Sequence, residues 1–528
     1  MMQLLRAHTY RMLCFSTIVC VPLWSCKGDD QTVDEITETP SAVTVADTSI
    51  VRGKTLASRH CSSCHLLPAP DLLDKTTWKE SVLPNMAARL GLRYRGYDPF
   101  EGVEPSEVAE IKALNIYPEQ ALLSEADWQS IVHYYEQMAP AELPAQNRTS
   151  ATAPEPPPFT PNLVEIGDKP VPQVTLLEYD QPTRTLFIGD HLNLYALDQQ
   201  GAIVGNWQTQ SPSSDIARTE RGIFLLSIGA FKPSEKKEGV FFPLTFNAAG
   251  KAEDYVVTEL PRPVQFDIGD LNGDQKDDVV ICGFGNHRGQ LAWYDNFRQD
   301  QVHLLSGLPG ARKALIRDMN GDGMNDVVAL MAQAWEKVVI YYNKGNGEFR
   351  EETVLELPAV YGVSYFDLVD FNDDGHPDLL LTNGDNWDYS SIQKPYHGIR
   401  IYLNDGSNQF TPTYFYPMYG CSEARAVDFD RDGDLDLAAI AFYDNRLSTP
   451  DESFVYLRNE GQLSFSAHYM PETACGKWLT MDVGDFDNDG YPDIFLGSYF
   501  HNVSELSKVM TKGVEAFPEV LLLRYQPQ

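Results

Sequence analysis

Residues 318–330 read Asp318-Met319-Asn320-Gly321-Asp322-Gly323-Met324-Asn325-Asp326-Val327-Val328-Ala329-Leu330. Oxygen-bearing side chains stand at the first, third, fifth and ninth positions, and an apolar run follows at once. The same arrangement recurs at Asp270, Asn272, Asp274 and Asp278; at Asp370, Asn372, Asp374 and Asp378; at Asp428, Asp430, Asp432 and Asp436; and at Asp485, Asp487, Asp489 and Asp493. Successive copies begin 48, 52, 58 and 57 residues apart. Carboxylates or amides at alternate positions of a tight loop point inward together, the backbone carbonyl at position seven adds an oxygen, and the ninth residue closes the shell. A hard cation such as Ca²⁺ wants this donor set, so up to five bound ions are expected. Position six must turn sharply and is Gly323, Gly375, Gly433 or Gly490 in four copies; Gln275 in the remaining copy predicts the most strained loop. An EF-hand would place a Glu at position twelve, where this chain has Ile281, Ala329, Leu381, Ala439 and Leu496.

Each loop runs into a short apolar segment such as Val279-Val280-Ile281 or Leu379-Leu380-Leu381, the pattern of a strand buried on both faces. A further strand recurs as Leu291-Ala292-Trp293-Tyr294, Val339-Ile340-Tyr341-Tyr342, Ile399-Arg400-Ile401-Tyr402 and Val455-Tyr456-Leu457. Each repeat is therefore about four short strands, with the acidic loop joining the first two. Upstream, residues 174–207 and 216–260 keep the strand rhythm without the Asp pattern, which raises five units to seven. Units of this size at this spacing form propeller blades, and seven suits ring closure. On these motifs the array resembles the FG-GAP or VCBS repeat family, found in integrin α heads. The resemblance implies an all-β seven-bladed β-propeller over residues 163–528 with Ca²⁺ held by the residues above; it implies no particular activity.

A second module precedes the array. His60-Cys61-Ser62-Ser63-Cys64-His65 contains Cys-x-x-Cys-His, in which two thiols one helical turn apart can form thioethers to a haem while the adjacent His ligates its iron. Zinc would want a second ligand pair nearby, and a redox dithiol a βαβ setting; neither is present. Residues 53–59 read as a helix entering the motif, Pro68 and Pro70 as the turn after it, and Ser124-Glu125-Ala126-Asp127 as the start of a helix with Trp128, Ile131, Val132 and Tyr135 on one side. Residues 51–144 thereby resemble a small all-α monohaem cytochrome c domain, with one covalent haem c on Cys61, Cys64 and His65. That family places its sixth ligand, a Met, in a loop before the last helix. Met86 follows Pro84, as in the turn that presents such a Met, while Met138, His133 and an open site remain alternatives.

Residues 145–162 are Pro-rich and read as a linker. At the N-terminus, Arg6 and Arg11 precede the apolar stretch 12–23, which ends in Leu23-Trp24-Ser25-Cys26. This resembles a lipoprotein signal peptide, 1–25, with Cys26 as the lipidated residue and 26–50 as a flexible tether. The expected setting is the cell envelope, membrane-anchored, facing the periplasm or the cell surface. Of the other cysteines, Cys421 and Cys475 lie in neighbouring repeats and are either bonded to each other or free.

With 41 Lys and Arg against 75 Asp and Glu, the formal charge of −34 repels a nucleic-acid partner. Three functions remain open: an electron carrier with a redox partner protein in the envelope, whose propeller docks a protein or glycan; an oxidoreductase whose propeller face binds a small substrate and passes electrons to the haem; and an adhesion or scaffold protein. His287 and His397, read as surface loop histidines, are thin candidates for a catalytic site, and no residue is assigned one. The sequence favours an electron carrier over an enzyme.

Overall fold

A computed structural model describes residues 45–147, 155–167, 170–244, 256–386, 390–443, 450–511 and 516–527. The signal segment, Cys26, Trp387 and Tyr389 lie outside these residues. No helix among them is long and apolar enough to cross a membrane.

The five acidic repeats and the two units before them build a ring of four-stranded antiparallel sheets, seven among the described residues. In the third blade the order is Pro263–Gly269, Asp278–Gly283, Gln290–Tyr294 and Val302–Ser306, each strand hydrogen-bonded to the next. The second strand of every acid-bearing blade is buried along its whole length, as its unbroken apolar run requires.

Little of the apolar core lies within a blade; it lies between blades. Seven apolar clusters each join one sheet to its neighbour. Leu380, Ile399 and Ile401 of the fifth blade pack on Ala424, Leu437 and Ala439 of the sixth, and Phe486 and Phe495 of the last pack on Leu177, Tyr179 and Ile188 of the first. At that last junction the Tyr179 ring lies flush on Gly484, where a β-carbon would stand 2.1 Å from Cδ1 of Tyr179. Polar staples cross the same seams. Asp215 accepts the N–H of Phe266 at 2.9 Å, Asp267 that of Ile316 at 2.7 Å, and Asp482 that of Tyr179 at 2.6 Å.

The ring closes by exchange of chain ends. Strand Phe159–Val164, within the stretch expected to be linker, is the outer strand of the last blade and pairs with Val520–Tyr525. Pro161 is tolerated because an edge strand leaves its missing N–H unneeded. Phe159 is buried, with its ring edge-on to Phe429, Tyr456 and Tyr525 at 5.7, 5.3 and 5.5 Å.

The N-terminal module is helical: Val45–His60, Leu83–Arg89, Pro105–Ala113 and Glu125–Met138. The first helix begins eight residues earlier than expected, inside the proposed tether. Ser124 caps the last by accepting the N–H of Asp127 at 3.1 Å. First and last helices cross at Gly53, where a β-carbon would meet the Ser130 carbonyl oxygen at 2.1 Å and Cβ of Tyr134 at 2.7 Å. The 2.7 Å contact of Arg52 with Asp127 brackets that crossing. Met86 is helical rather than in a loop. One π-turn, Trp78–Val82, feeds its helix, and the Leu83 N–H bonds back to the Trp78 carbonyl, so Pro84 enters the helix at its start.

Two outcomes are expected from this architecture. Phe159→Ala loosens the closing strand and costs about 3–5 kcal/mol, read as a lower urea midpoint; an unchanged midpoint would show that closure does not depend on this ring. Burial pushes the Asp215 carboxyl up to about 7. It holds its proton more tightly folded than unfolded, so its contribution is full below about pH 4 and is lost as pH rises towards 7. Urea midpoints measured from pH 4 to 7 should therefore fall less steeply in Asp215→Asn than in the parent.

Candidate functional site

The two modules meet over the channel mouth of the ring. Val360 and Ile392 of the propeller join the apolar core of the helical module, and Tyr396 donates to the Leu72 carbonyl at 2.9 Å. Glu107 accepts the N–H of Glu235 at 2.6 Å. Tyr117 donates to Nε2 of His287 at 3.1 Å, and Nδ1 of the same imidazole donates to Glu235 at 2.8 Å.

Between the modules lies a cavity of about 2230 Å³, lined by residues of both. The helical wall contributes Cys61, Cys64, His65 and Met86, so the structure brings the four haem-directed residues of the sequence reading to one space. Met138 is exposed at its helix end, and neither it nor His133 lines the cavity. Nδ1 of His65 donates to the Leu66 carbonyl at 3.0 Å, which leaves Nε2 as the basic nitrogen. Burial lowers the pKa of His65 and pushes the Cys61 thiol up to about 11. Trp78, Val82, Leu83, Leu90 and Tyr135 supply an apolar wall. The buried indole N–H of Trp128, on the same wall, has no hydrogen-bond partner. Two thiols, a neutral imidazole, a thioether, apolar walls and an orphaned donor suited to a propionate fit a covalently held haem.

The opposite wall is the innermost strands of the blades and the loops after their second strands. Glu178 sits there; burial, then the neighbouring carboxylates of Asp482 and Asp215, hold its carboxyl well above the usual carboxylate range. Lys313 donates to the Tyr365 hydroxyl at 2.8 Å, and burial brings its ammonium down to about 8. These channel-facing groups escaped the sequence reading, since nothing local separates Asp267 from its loop neighbour Asp270. Neither histidine singled out there is a surface residue. The His287 side chain is 13% exposed; His397 is 1% exposed, and its Nε2 is buried without a partner.

The acidic loops lie away from this cavity and are not equivalent. In the loops at Asp428 and Asp485, ligand oxygens of positions one, three and five lie within 4.8 Å of one another, and Oδ1 of each first Asp is buried without a partner. At Asp270 and Asp318 that oxygen is already satisfied by backbone N–H groups, and at Asp370 it accepts the Asp374 N–H. In the first loop the Lys276 ammonium also contacts Asp274 at 2.8 Å. The donor chemistry thus fits a cation best at Asp428-Asp430-Asp432 and Asp485-Asp487-Asp489. At position nine both carboxylate oxygens of Asp278, Asp326, Asp378, Asp436 and Asp493 accept hydrogen bonds, tying each loop to nearby strands. An anchoring role there could not be read from the spacing. Gln275 does carry the expected strain, at φ 65°. Position four is also left-handed and was not foreseen: Gly273, Gly321, Asp373, Arg431 and Asn488.

The FG-GAP-like repeat family model matches residues 270–329, 318–381 and 382–439. The chain carries FG-GAP-like repeats over that part of the ring; the loop at Asp485 lies beyond them. Among solved structures, the Pan2 WD40 domain of Neurospora crassa is similar at 8% identity and a TM-score of 0.42, covering 72% of this chain and 98% of its own. BBS1N in complex with ARL6DN is similar at 10% identity and a TM-score of 0.40, covering 71% and 98%.

If the last two loops are the cation sites, Ca²⁺ at about 100 times its Kd adds about 2.7 kcal/mol per site. A rise in the thermal midpoint on adding Ca²⁺, reversed by chelator and nearly abolished in Asp430→Asn with Asp487→Asn, is the expected result. Asp274→Asn in the first loop should change it little.

Proposed function

We propose that this chain is a haem c protein of the cell envelope, anchored to a membrane through Cys26, that carries single electrons between the helical module and a redox partner. Calcium braces the propeller in this reading. The observation that carries it is the convergence of Cys61, Cys64, His65 and Met86 on one cavity beside the unsatisfied N–H of Trp128. Haem c bound there supplies one-electron exchange, and a His/Met ligand pair favours the reduced state. The residues prepare the place. Cys61 and Cys64 offer thiols for two thioethers, the Leu66 carbonyl fixes the tautomer of His65, and the apolar wall excludes water.

A second reading, an oxidoreductase fed by a small molecule on the propeller face, is supported by one observation. The wall opposite Cys61 and His65 is drawn from the propeller blades, so a small molecule held on that wall would face a group held on the motif.

Optical spectra separate these readings. The parent protein should be low-spin in both oxidation states, and Met86→Ala should turn it high-spin with a lower reduction potential, while Cys61→Ala with Cys64→Ala abolishes covalent haem. A parent already high-spin, or one that binds CO readily, would remove Met86 as ligand and favour the second reading.

A further inference from the structure

The chamber is larger than a haem needs. Ligand pockets for small molecules measure about 300–1,000 Å³, against 2230 Å³ here. The propeller wall has its own chemistry, made by loops that follow the second strand of successive blades.

Its charge runs against that of the protein. Lys232, Arg288, Arg312 and Lys508 line the chamber, are exposed to it, and make no ion pair among the described residues. Three of the wall's acids, by contrast, are engaged. Glu505 holds Lys477 and His501, Glu423 holds Arg425, and Glu336 accepts the N–H groups of Val363 and Ala334. Over the whole chamber nine Lys and Arg stand against the six carboxyl groups of Glu178, Asp215, Glu336, Asp385, Glu423 and Glu505, so its lining is positive in a chain of net charge −34, and an anion is drawn to it.

Aromatic faces share the wall. Phe231 stacks on Tyr499 at 5.3 Å, Tyr499 and His191 are joined at 3.0 Å, and Trp335 and Phe442 stand on neighbouring parts of the rim. Two buried polar atoms facing the chamber have no partner: the Ser213 hydroxyl and Oε1 of Gln333. One can donate and the other can only accept, so a ligand rich in hydroxyls satisfies both. Gln333, Ala334 and Glu336 all hold left-handed backbone, at φ 56°, 79° and 43°. Such strain is kept where geometry matters.

We infer that the propeller wall of this chamber is a binding site for a saccharide bearing a carboxylate, a uronic-acid sugar. Its ring face lies against Phe231, its hydroxyls meet Ser213 and Gln333, and its carboxylate meets the Arg312 and Lys232 side of the wall. Uncharged apolar ligands would leave these cations and orphaned atoms unmatched. The inference deepens the second reading above and rests on it only for the fate of the ligand, not for its binding.

The test is calorimetric titration of the full-length holoprotein with a glucuronate-capped xylo-oligosaccharide and with the same oligosaccharide uncapped. The capped sugar should bind at least tenfold tighter, and the gap should close in Arg312→Ala with Lys232→Ala, both exposed positions whose loss leaves the core intact. Phe231→Ala should weaken both sugars. No binding, equal affinity for the two sugars, or an unchanged gap in the double variant would each overturn the site. The haem spectrum of the same samples reports on the haem proposal alone. A sugar that binds protein lacking haem sinks that proposal and keeps this site.

Discussion

Everything else in this molecule depends on apolar burial between blades. A single four-stranded sheet of this size has two faces to cover and cannot cover either alone. Each face finds its partner on the next sheet, and with side chains such as Phe366, Phe495 and Trp478 contributing about 1.5–3 kcal/mol apiece on burial, the seams become the core. A row of seams has two unsatisfied ends. The ring removes them, and the exchange of Phe159–Val164 into the last blade holds the closure with chain from the opposite end.

Closure creates the second feature, a channel whose wall is the innermost strand of each blade. Carboxyl groups stand on that wall: Asp215, Asp267 and Asp482 each accept an N–H from the next blade, which turns a desolvation cost into a staple. The acidic loops at the other end of those strands solve a related problem, since each tight turn leaves backbone N–H groups that its own carboxylates satisfy. In two of the loops Asp428 and Asp485 keep an oxygen without a partner, and it is there that the proposed cation would add to this arrangement.

The helical module closes the channel mouth. Its own fold rests on a crossing that only Gly53 permits and on Trp78 and Tyr135, whose tilted rings lie 4.3 Å apart and which tie down the Pro70 and Pro68 carbonyls. Its motif-bearing wall then faces the propeller across the chamber. Neither module alone forms that space.

The sequence by itself determined the blades and the motif. The Asp pattern at Asp318, the apolar runs after it and their regular spacing give strand, turn and repeat count, because these are local consequences of backbone geometry and of period-two burial. Cys61, Cys64 and His65 were legible for the same reason: their chemistry needs one helical turn. Tertiary structure decided the rest. It took Phe159 and Pro161 out of a Pro-rich stretch and made them an edge strand, which depends on residues more than 350 positions away. It turned Asp436 and its equivalents into anchors, since which hydrogen bonds a carboxylate accepts is set by the neighbouring strand. It buried His397 and joined His287 to Tyr117 and Glu235. It also set the motif opposite a cation-rich wall. Local sequence records what a segment prefers, whereas a chamber between two modules exists only where distant surfaces bury each other.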